Sequence, residues 1–210
     1  MDSQLAEAAA AFQARTGATP DQMADLEAFR EELVAANAVM NLVGPDSLPD
    51  FWNRHVYDSA QLLDHEPDAL TWADLGAGAG FPGLVLAILL KGRPGAHVWL
   101  IDSLGKRCRF LEIVVANLDL PATVINGRAE TQSLSVDVVT ARALAPLETL
   151  LGYAQPYIKR GAKGLFLKGE KAEVELAAAR QTWRVDAALS VSRSDPRGRL
   201  VEVRSLRRVP

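Results

Sequence analysis

With 210 residues, 49% hydrophobic and 23% charged, the chain has room for one large domain or a domain plus an extension, and its balance excludes a disordered polymer. The longest uninterrupted apolar run, 84–90, is far short of the ~20 residues of a membrane span, and one cysteine, Cys108, excludes an intramolecular disulfide. The net charge of −3 hides an asymmetry: residues 1–75 hold three basic residues against fourteen acidic ones, residues 76–210 twenty against twelve, and 180–210 eight arginines against three acids. Affinity for phosphate follows local potential, so a basic face remains available for nucleic acid.

The start, Met1-Asp-Ser-Gln, lacks the basic and apolar stretches of a signal peptide, which gives a cytoplasmic protein as the expectation. Residues 3–15 and 21–36 carry apolar side chains at helical spacing (Leu26, Phe29, Leu33), with Thr19-Pro20-Asp21 as a start signal. Asn41-Leu-Val-Gly-Pro-Asp reads as a turn, and 47–65 as a third helix bearing Phe51, Trp52 and Val56. From residue 70 short apolar runs (70–75, 97–101, 123–126, 136–140, 164–167) alternate with longer helix-like stretches (82–91, 105–118, 146–160, 170–183). That alternation predicts right-handed βαβ crossovers and a mostly parallel sheet covered on both faces. Two closing runs, 187–192 and 200–204, predict a hairpin at the sheet's edge. The expected architecture is α/β, with a helical extension over 1–68 and a Rossmann-like domain over 69–210.

Trp72-Ala-Asp-Leu-Gly-Ala-Gly-Ala-Gly-Phe-Pro-Gly83 stands at the exit of the first strand and opens a helix, where a parallel sheet gathers its ligands. Two spacings overlap. Gly78-x-Gly80-x-x-Gly83 fits a dinucleotide pyrophosphate, whereas Gly76-x-Gly78-x-Gly80 with Asp74 ahead of it suits the positively charged S-adenosylmethionine. The second is preferred. Asp102, ending the next strand, stands where an acid accepts hydrogen bonds from ribose hydroxyls, a role that serves either nucleoside. Asn126-Gly-Arg-Ala-Glu130 follows the third strand where an adenine would lie; Arg128 and Glu130 are there either ligand contacts or a surface pair. Lys168 ends the strand 164–167 and emerges at the same sheet end as the glycine loop.

The fourth strand leads into Val138-Val-Thr-Ala-Arg-Ala-Leu-Ala-Pro rather than an Asn/Asp-Pro-Pro-aromatic segment of exocyclic-amine methylation. Cys108, inside a predicted helix, reads as a half-buried inert thiol and not as the nucleophile that a pyrimidine carbon requires. A methyl acceptor should therefore own a free lone pair, as guanine N7 does, and alignment alone then suffices. Three scattered histidines predict no metal site. Asp58 stands three residues after His55 and four after Arg54, the spacing of a helix-surface pair; Asn41, Arg54 and His55 are read as a lid or substrate-side wall.

Met40-Asn-Leu, Arg54-His-Val-Tyr-Asp-Ser59, Asp74 to Gly83, Asp102-Ser-Leu-Gly-Lys-Arg107, Gly127-Arg-Ala-Glu130, Thr140-Ala-Arg-Ala-Leu144 and Leu167-Lys-Gly169 together resemble the ribosomal small-subunit methyltransferase G family, also called glucose-inhibited division protein B. The resemblance spans 40–169, and it implies an S-adenosylmethionine-dependent enzyme that methylates N7 of one guanosine in the 530 loop of 16S ribosomal RNA. By that resemblance Gly76, Phe81, Ala129, Glu130 and Arg142 contact the donor, while Arg128 and Lys168 hold the target nucleotide. The tail ends at Arg207-Arg-Val-Pro without a longer basic extension, and Arg197 and Arg199 are the candidates to compensate for it. A monomer acting on 16S rRNA or the 30S particle, without a membrane or disulfide partner, is expected. The rivals are an NAD-dependent dehydrogenase and a non-catalytic ribosome-assembly module of the same fold.

Overall fold

The computed structural model describes residues 3–44 and 47–209; Met1, Asp2, Pro45, Asp46 and Pro210, including part of the expected turn after the second helix, lie outside the described residues. Two helices open the chain, α1 (Ser3–Thr16) and α2 (Pro20–Met40). The second begins in a reciprocal capping box, in which the Thr19 hydroxyl accepts from the Gln22 N–H and the Gln22 side chain accepts from the Thr19 N–H.

The expected third helix over 47–65 takes a different form. It starts only at Phe51, as a π-helix (Phe51–Tyr57), and continues in two short pieces, α3 (Asp58–Ala60) and α4 (Leu62–His65). Pro49, which has no N–H to give and restricts the residue before it, stands in the turn that precedes this start. Phe51, Trp52, His55 and Val56 are all buried from this segment.

The βαβ pattern follows: β1 (Thr71–Leu75), α5 (Gly83–Leu90), β2 (His97–Asp102), α6 (Gly105–Asn117), β3 (Ala122–Asn126), β4 (Val138–Arg142), α7 (Leu147–Ile158), β5 (Lys163–Lys168), α8 (Ala172–Ala179), β6 (Trp183–Val191) and β7 (Arg199–Arg208). A single-turn 3₁₀ helix, Ala129–Thr131, follows β3. The sheet order is β3-β2-β1-β4-β5-β7-β6, parallel from β3 to β5 and antiparallel at β7 and β6. The strand order reverses between β1 and β4, and an open sheet of this kind opens its ligand crevice at the carboxyl ends of those two strands.

The last helix is shorter than expected, because Trp183 leaves it to begin β6, where its indole N–H donates to the Glu148 carbonyl at 3.1 Å. The edge hairpin is correspondingly longer than the runs 187–192 and 200–204, and carries a bulge at Asp186/Ala187. One hydrophobic core joins Phe12, Leu26, Phe29, Phe51 and Trp52 of the N-terminal helices to α5, α6 and one sheet face; a second lies under α7 and α8. The helical segment is thereby fixed against α5, the helix that the glycine loop opens. No described helix is long and apolar enough to cross a membrane.

Candidate active site

The loop between β1 and α5 needs backbone that only glycine adopts freely. Gly76 and Gly78 have φ of +69° and +55°, and a side chain at Gly76 would run into Leu144. At Gly83 the limit is space: a Cβ there would sit 2.2 Å from Leu100 and 2.7 Å from the Asp74 carboxylate.

Asp74 lies beneath this loop, fully buried, and its Oδ2 accepts the Gly83 N–H at 2.8 Å while Oδ1 has no partner. Burial pushes its pKa up to about 7, against the lowering effect of the Gly83 N–H and of Arg142. The first amide of α5 is thus already capped by an internal acid. A pyrophosphate arriving at that helix start would meet an occupied donor and a carboxylate, the opposite of an anion site.

Asp102 is also buried rather than solvated, and it ties the site together. Its Oδ2 accepts the Gly78 N–H at 3.0 Å and its Oδ1 the Leu104 N–H at 2.8 Å, with Arg107 3.7 Å away. Cys108 is buried against the Asp102 carbonyl, and burial raises its pKa, in keeping with an inert thiol.

Above the loop opens a cleft of about 870 Å³. Gly76, Gly78, Phe81, Arg54, His55, Arg142, Lys168 and Arg197 of the expected residues line it. The reading of Arg54 and His55 as members of a helix-surface pair with Asp58 is corrected here. The π-helical segment turns the His55 ring inward, where it stacks on Phe81 with centroids 4.7 Å apart. Asp58 pairs instead with Arg142 of β4, 3.6 Å away.

Arg142 is clamped on every side. One nitrogen donates to the Arg54 carbonyl at 3.0 Å, another lies 2.7 Å from His55 Nδ1, and the guanidinium sits 4.8 Å above the Phe81 ring. Because arginine supplies only protons, Nδ1 of His55 is the acceptor in that contact. Burial, with Arg142 and Arg54 adding to it, lowers the His55 pKa to about 3, so this imidazole is neutral.

Other expected residues fall elsewhere. Arg128 is exposed and 3.8 Å from Glu130, a surface pair in this state. Ala129 is buried, and its carbonyl accepts from the Tyr157 hydroxyl at 2.8 Å, which fixes the 3₁₀ turn on α7. Lys168 is not a solvated strand-end lysine: only 10% of its side chain is exposed, and its Nζ donates to the Ala145 carbonyl and pairs with Glu175 at 2.7 Å. Asn41 takes the left-handed C-cap position of α2. Arg199 turns to Glu173 and to the carbonyls of Pro196 and Gly198, outside the cleft lining.

Sequence reasoning missed the organising role of Asp58. Its Oδ1 accepts from the Ser194 hydroxyl at 2.6 Å, from Ser192 at 3.1 Å and from Gln61 at 3.0 Å, while Oδ2 faces Arg142. Asn53 adds a bond to the Ser194 carbonyl at 3.0 Å, so the turn between β6 and β7 forms a cleft wall. The two serines lie more than a hundred residues from Asp58 and Arg142 lies 84 away, and no spacing along the chain signals them.

Known proteins resemble this chain in sequence and in fold. A family model described as rRNA small subunit methyltransferase G matches residues 22–197. Among named relatives, "Ribosomal RNA small subunit methyltransferase G" of Caulobacter vibrioides is 57% identical over 201 residues, covering 96% of this chain and 93% of its own. The protein of that name from Bradyrhizobium sp. is 44% identical over 187 residues, covering 87% and 84%. Among solved structures, a SAM-dependent methyltransferase from Aquifex aeolicus superposes with a TM-score of 0.56 at 17% identity, covering 80% of this chain and 96% of that one. An O-methyltransferase from Bacillus cereus in complex with SAH superposes with a TM-score of 0.57 at 16% identity, covering 84% and 90%. These two likenesses concern the fold; the sequence matches, which run nearly end to end, make this chain a member of the rRNA small subunit methyltransferase G family.

Proposed function

We propose that this chain transfers a methyl group from S-adenosylmethionine to N7 of a guanosine in the 530 loop of 16S ribosomal RNA. The observation that carries the choice of donor is the capped start of α5. With its first amide already given to Asp74, α5 has no free donor there for a pyrophosphate, and a cationic ligand would favour the ionised form of that buried carboxyl, which separates this reading from an NAD-dependent dehydrogenase. The unpartnered Asp74 Oδ1 and the open backbone at Gly78 fit such a donor. Membership of the family supports ribosomal RNA as acceptor and turnover over a purely structural role.

When bound, the donor supplies an electrophilic methyl carbon on a sulfonium. An acceptor nitrogen that owns a free lone pair, as N7 does, would lose no proton on methylation. The chain's task is then alignment and charge, since no general base is needed. His55 agrees with this: it is neutral, and its Nδ1 lone pair is already engaged by Arg142. Gly76 and Gly78 shape the donor's floor, with Phe81 and Arg142 as its wall; Gly80, also at positive φ, completes the turn, and Asp74 holds the loop by the Gly83 N–H. Asp102, which tethers Gly78, together with Ala129 and Glu130, is assigned to the nucleoside end. Arg128 and Lys168 are assigned to the acceptor, with Arg54 and Arg197 at the cleft's rim; Lys168 must exchange Glu175 or the Ala145 carbonyl for its ligand.

The test is radiolabelled methyl transfer to 30S particles lacking the modification and to naked 16S RNA, with digestion to nucleosides. Label in 7-methylguanosine is the expected result. Label in another nucleoside overturns the N7 assignment, and none on either substrate favours the assembly module. Calorimetry with S-adenosylhomocysteine and with NAD tests the donor: binding of NAD alone rejects this reading.

A further inference from the structure

The arginine-rich end of the chain divides into two groups. Of the eight arginines between 180 and 210, four have acidic partners: Arg193 with Asp64, Arg197 with Asp195, Arg199 with Glu173 and Arg204 with Glu202. Arg180, Arg184, Arg207 and Arg208 have none among the described residues. They are not scattered. β7 runs beside β5 from Arg199, opposite Lys168, to Val203, opposite Gly164; residues 204–208 then continue with β6 as their one strand partner. Arg184, Arg207 and Arg208 lie on this two-stranded extension, and Arg180 is three residues before its first strand begins.

Within the extension Arg184 stands directly opposite Arg207. Residues so paired share a face with Cβ atoms ~5 Å apart, and like charges at that position repel. Both side chains are exposed, and both line an open concavity at the Asp186/Ala187 bulge, where Asp186 is the one acid. Asp186 acts electrostatically on Arg204, which also has Glu202 as its ion-pair partner. On the ribbon's other face Arg208, opposite Trp183, lies over that ring at 6.0 Å, which holds a third guanidinium at the same end. Among the described residues no acid forms an ion pair with Arg184, Arg207 or Arg208, and Asp186 is the one carboxylate in the concavity. The charge distribution matches a polyanion, and guanidinium forks suit phosphate oxygens.

We infer that the far end of the β6–β7 ribbon is a second RNA-backbone contact, distinct from the cleft. Arg184 and Arg207 engage phosphates of the ribosomal RNA that presents the target guanosine, flanked by Arg208 and Arg180. Nine residues of β7 separate Arg199, level with Lys168, from Arg208, up to about 30 Å along the strand. The contact therefore falls on RNA outside the nucleotide being methylated, and it contributes to docking and not to chemistry. This rests on the reading of ribosomal RNA as substrate, and it goes beyond that reading by adding a surface which the cleft does not include.

The test is the Arg184→Ala/Arg207→Ala double variant, which removes a repulsive pair and leaves the packing of Trp183, Val185 and Leu206 intact. Methyl transfer is measured on protein-free 16S RNA and on undermodified 30S particles across a salt series, with S-adenosylhomocysteine affinity measured separately. Two lost phosphate contacts raise KM about tenfold at moderate salt and flatten the log–log salt dependence by about 1.5, with kcat and ligand affinity unchanged. Wild-type KM and salt slope in the double variant overturn the inference while leaving the proposed reaction standing. A KM change on 30S particles without one on protein-free RNA also overturns it, and assigns the surface to a ribosomal protein. Failure of the unmodified chain to methylate either substrate counts instead against the proposed function, and RNA retention by filter binding then tests the ribbon alone: equal salt slopes for the two proteins overturn the inference.

Discussion

His55 Nδ1 and Arg142 Nη2, 87 residues apart in sequence, lie 2.7 Å from each other and join the N-terminal helical segment to the end of β4. The contact fixes the ring as an acceptor at Nδ1 and holds the guanidinium against the Phe81 face. Removing the charge relaxes one of the causes that depress the imidazole, while burial remains. In Arg142→Ala the His55 pKa is expected to rise from about 3 and to stay below its ordinary 6.5, as followed by NMR titration of the ring protons. S-adenosylhomocysteine affinity should fall by roughly tenfold or more in the same variant, because a charge-assisted contact and a cation–π wall of the cleft are lost together. A ring that titrates as in the unmodified chain would show that the pair is not coupled.

Two buried titratable groups bias stability in opposite directions with pH. Asp74, raised to about 7, holds its proton more tightly folded than unfolded, so its contribution falls as pH rises from about 4 to about 7. His55, lowered to about 3, binds its proton more tightly unfolded, so its contribution is lost as pH falls from about 6.5 toward 3. Between about 4 and 6.5 the two slopes oppose one another. Asp74→Asn is expected to unmask the His55 limb, giving stability that climbs with pH over that window, and to gain on the order of 2–4 kcal/mol relative to the unmodified chain at pH 7.5. His55→Phe should show the reverse slope. Urea denaturation at half-unit pH steps measures both, and parallel profiles for all three proteins would remove both groups from the account.

The alternation of short and long apolar runs made the parallel sheet legible, because strands buried on both faces read as continuous hydrophobic runs and their crossover helices as longer ones. The glycine loop was legible for a similar reason: Gly76, Gly78 and Gly80 all take positive φ, a demand that sequence expresses directly. The site's internal ties were not. Asp74 was legible as an acid of the donor loop but not as the buried cap of α5, because burial is decided by what packs over a strand end and not by its composition. Arg54, His55 and Asp58 have the spacing of an α-helical surface pair, yet the segment begins as a π-helix and Asp58 faces a residue that is 84 positions away. The ribbon was read short for a local reason. Trp183 completes an apolar helical pattern, and Arg207-Arg208 has the composition of a tail, so only pairing between β6 and β7 reveals them as strand.

Two glycines of the loop should separate folding from ligand binding. At Gly83 an added Cβ meets Leu100 and Asp74 well inside contact distance, in a core that cannot open without moving β2. Gly83→Ala is expected to cost about 3 kcal/mol or more of stability. At Gly78 the nearest atom is the Gly76 carbonyl oxygen at 3.6 Å, so the cost is the left-handed backbone alone, about 1–2 kcal/mol. Its methyl group, however, enters the cleft lining. Gly78→Ala should keep most of the stability and lose much of its S-adenosylhomocysteine affinity, a split read by denaturation beside calorimetry. Equal losses of stability in the two variants would mean that the loop packs differently from the arrangement around Asp74 and Leu100.

Asp58 is the residue through which three parts of the cleft communicate. One carboxylate oxygen collects hydrogen bonds from Ser192, Ser194 and Gln61, while the other faces Arg142 across 3.6 Å. Asp58→Ala deletes both functions. Asp58→Asn keeps an acceptor for the serines but removes the larger of the two acidic influences on the guanidinium, leaving the Arg54 carbonyl, His55 and the weaker pull of Asp74. If the carboxylate positions the β6–β7 turn for the acceptor, Asp58→Ala should raise KM for RNA several-fold and speed amide exchange over residues 192–198. Asp58→Asn should then leave the turn protected and weaken the donor side, through Arg142. A purely structural role predicts instead that both variants lose stability in step, with KM and exchange in the turn moving only as far as global unfolding requires. Hydrogen exchange with separate KM values for donor and RNA distinguishes these outcomes, since a buried guanidinium left without its main counter-charge and a turn left without its acceptor fail at different places in the same cleft.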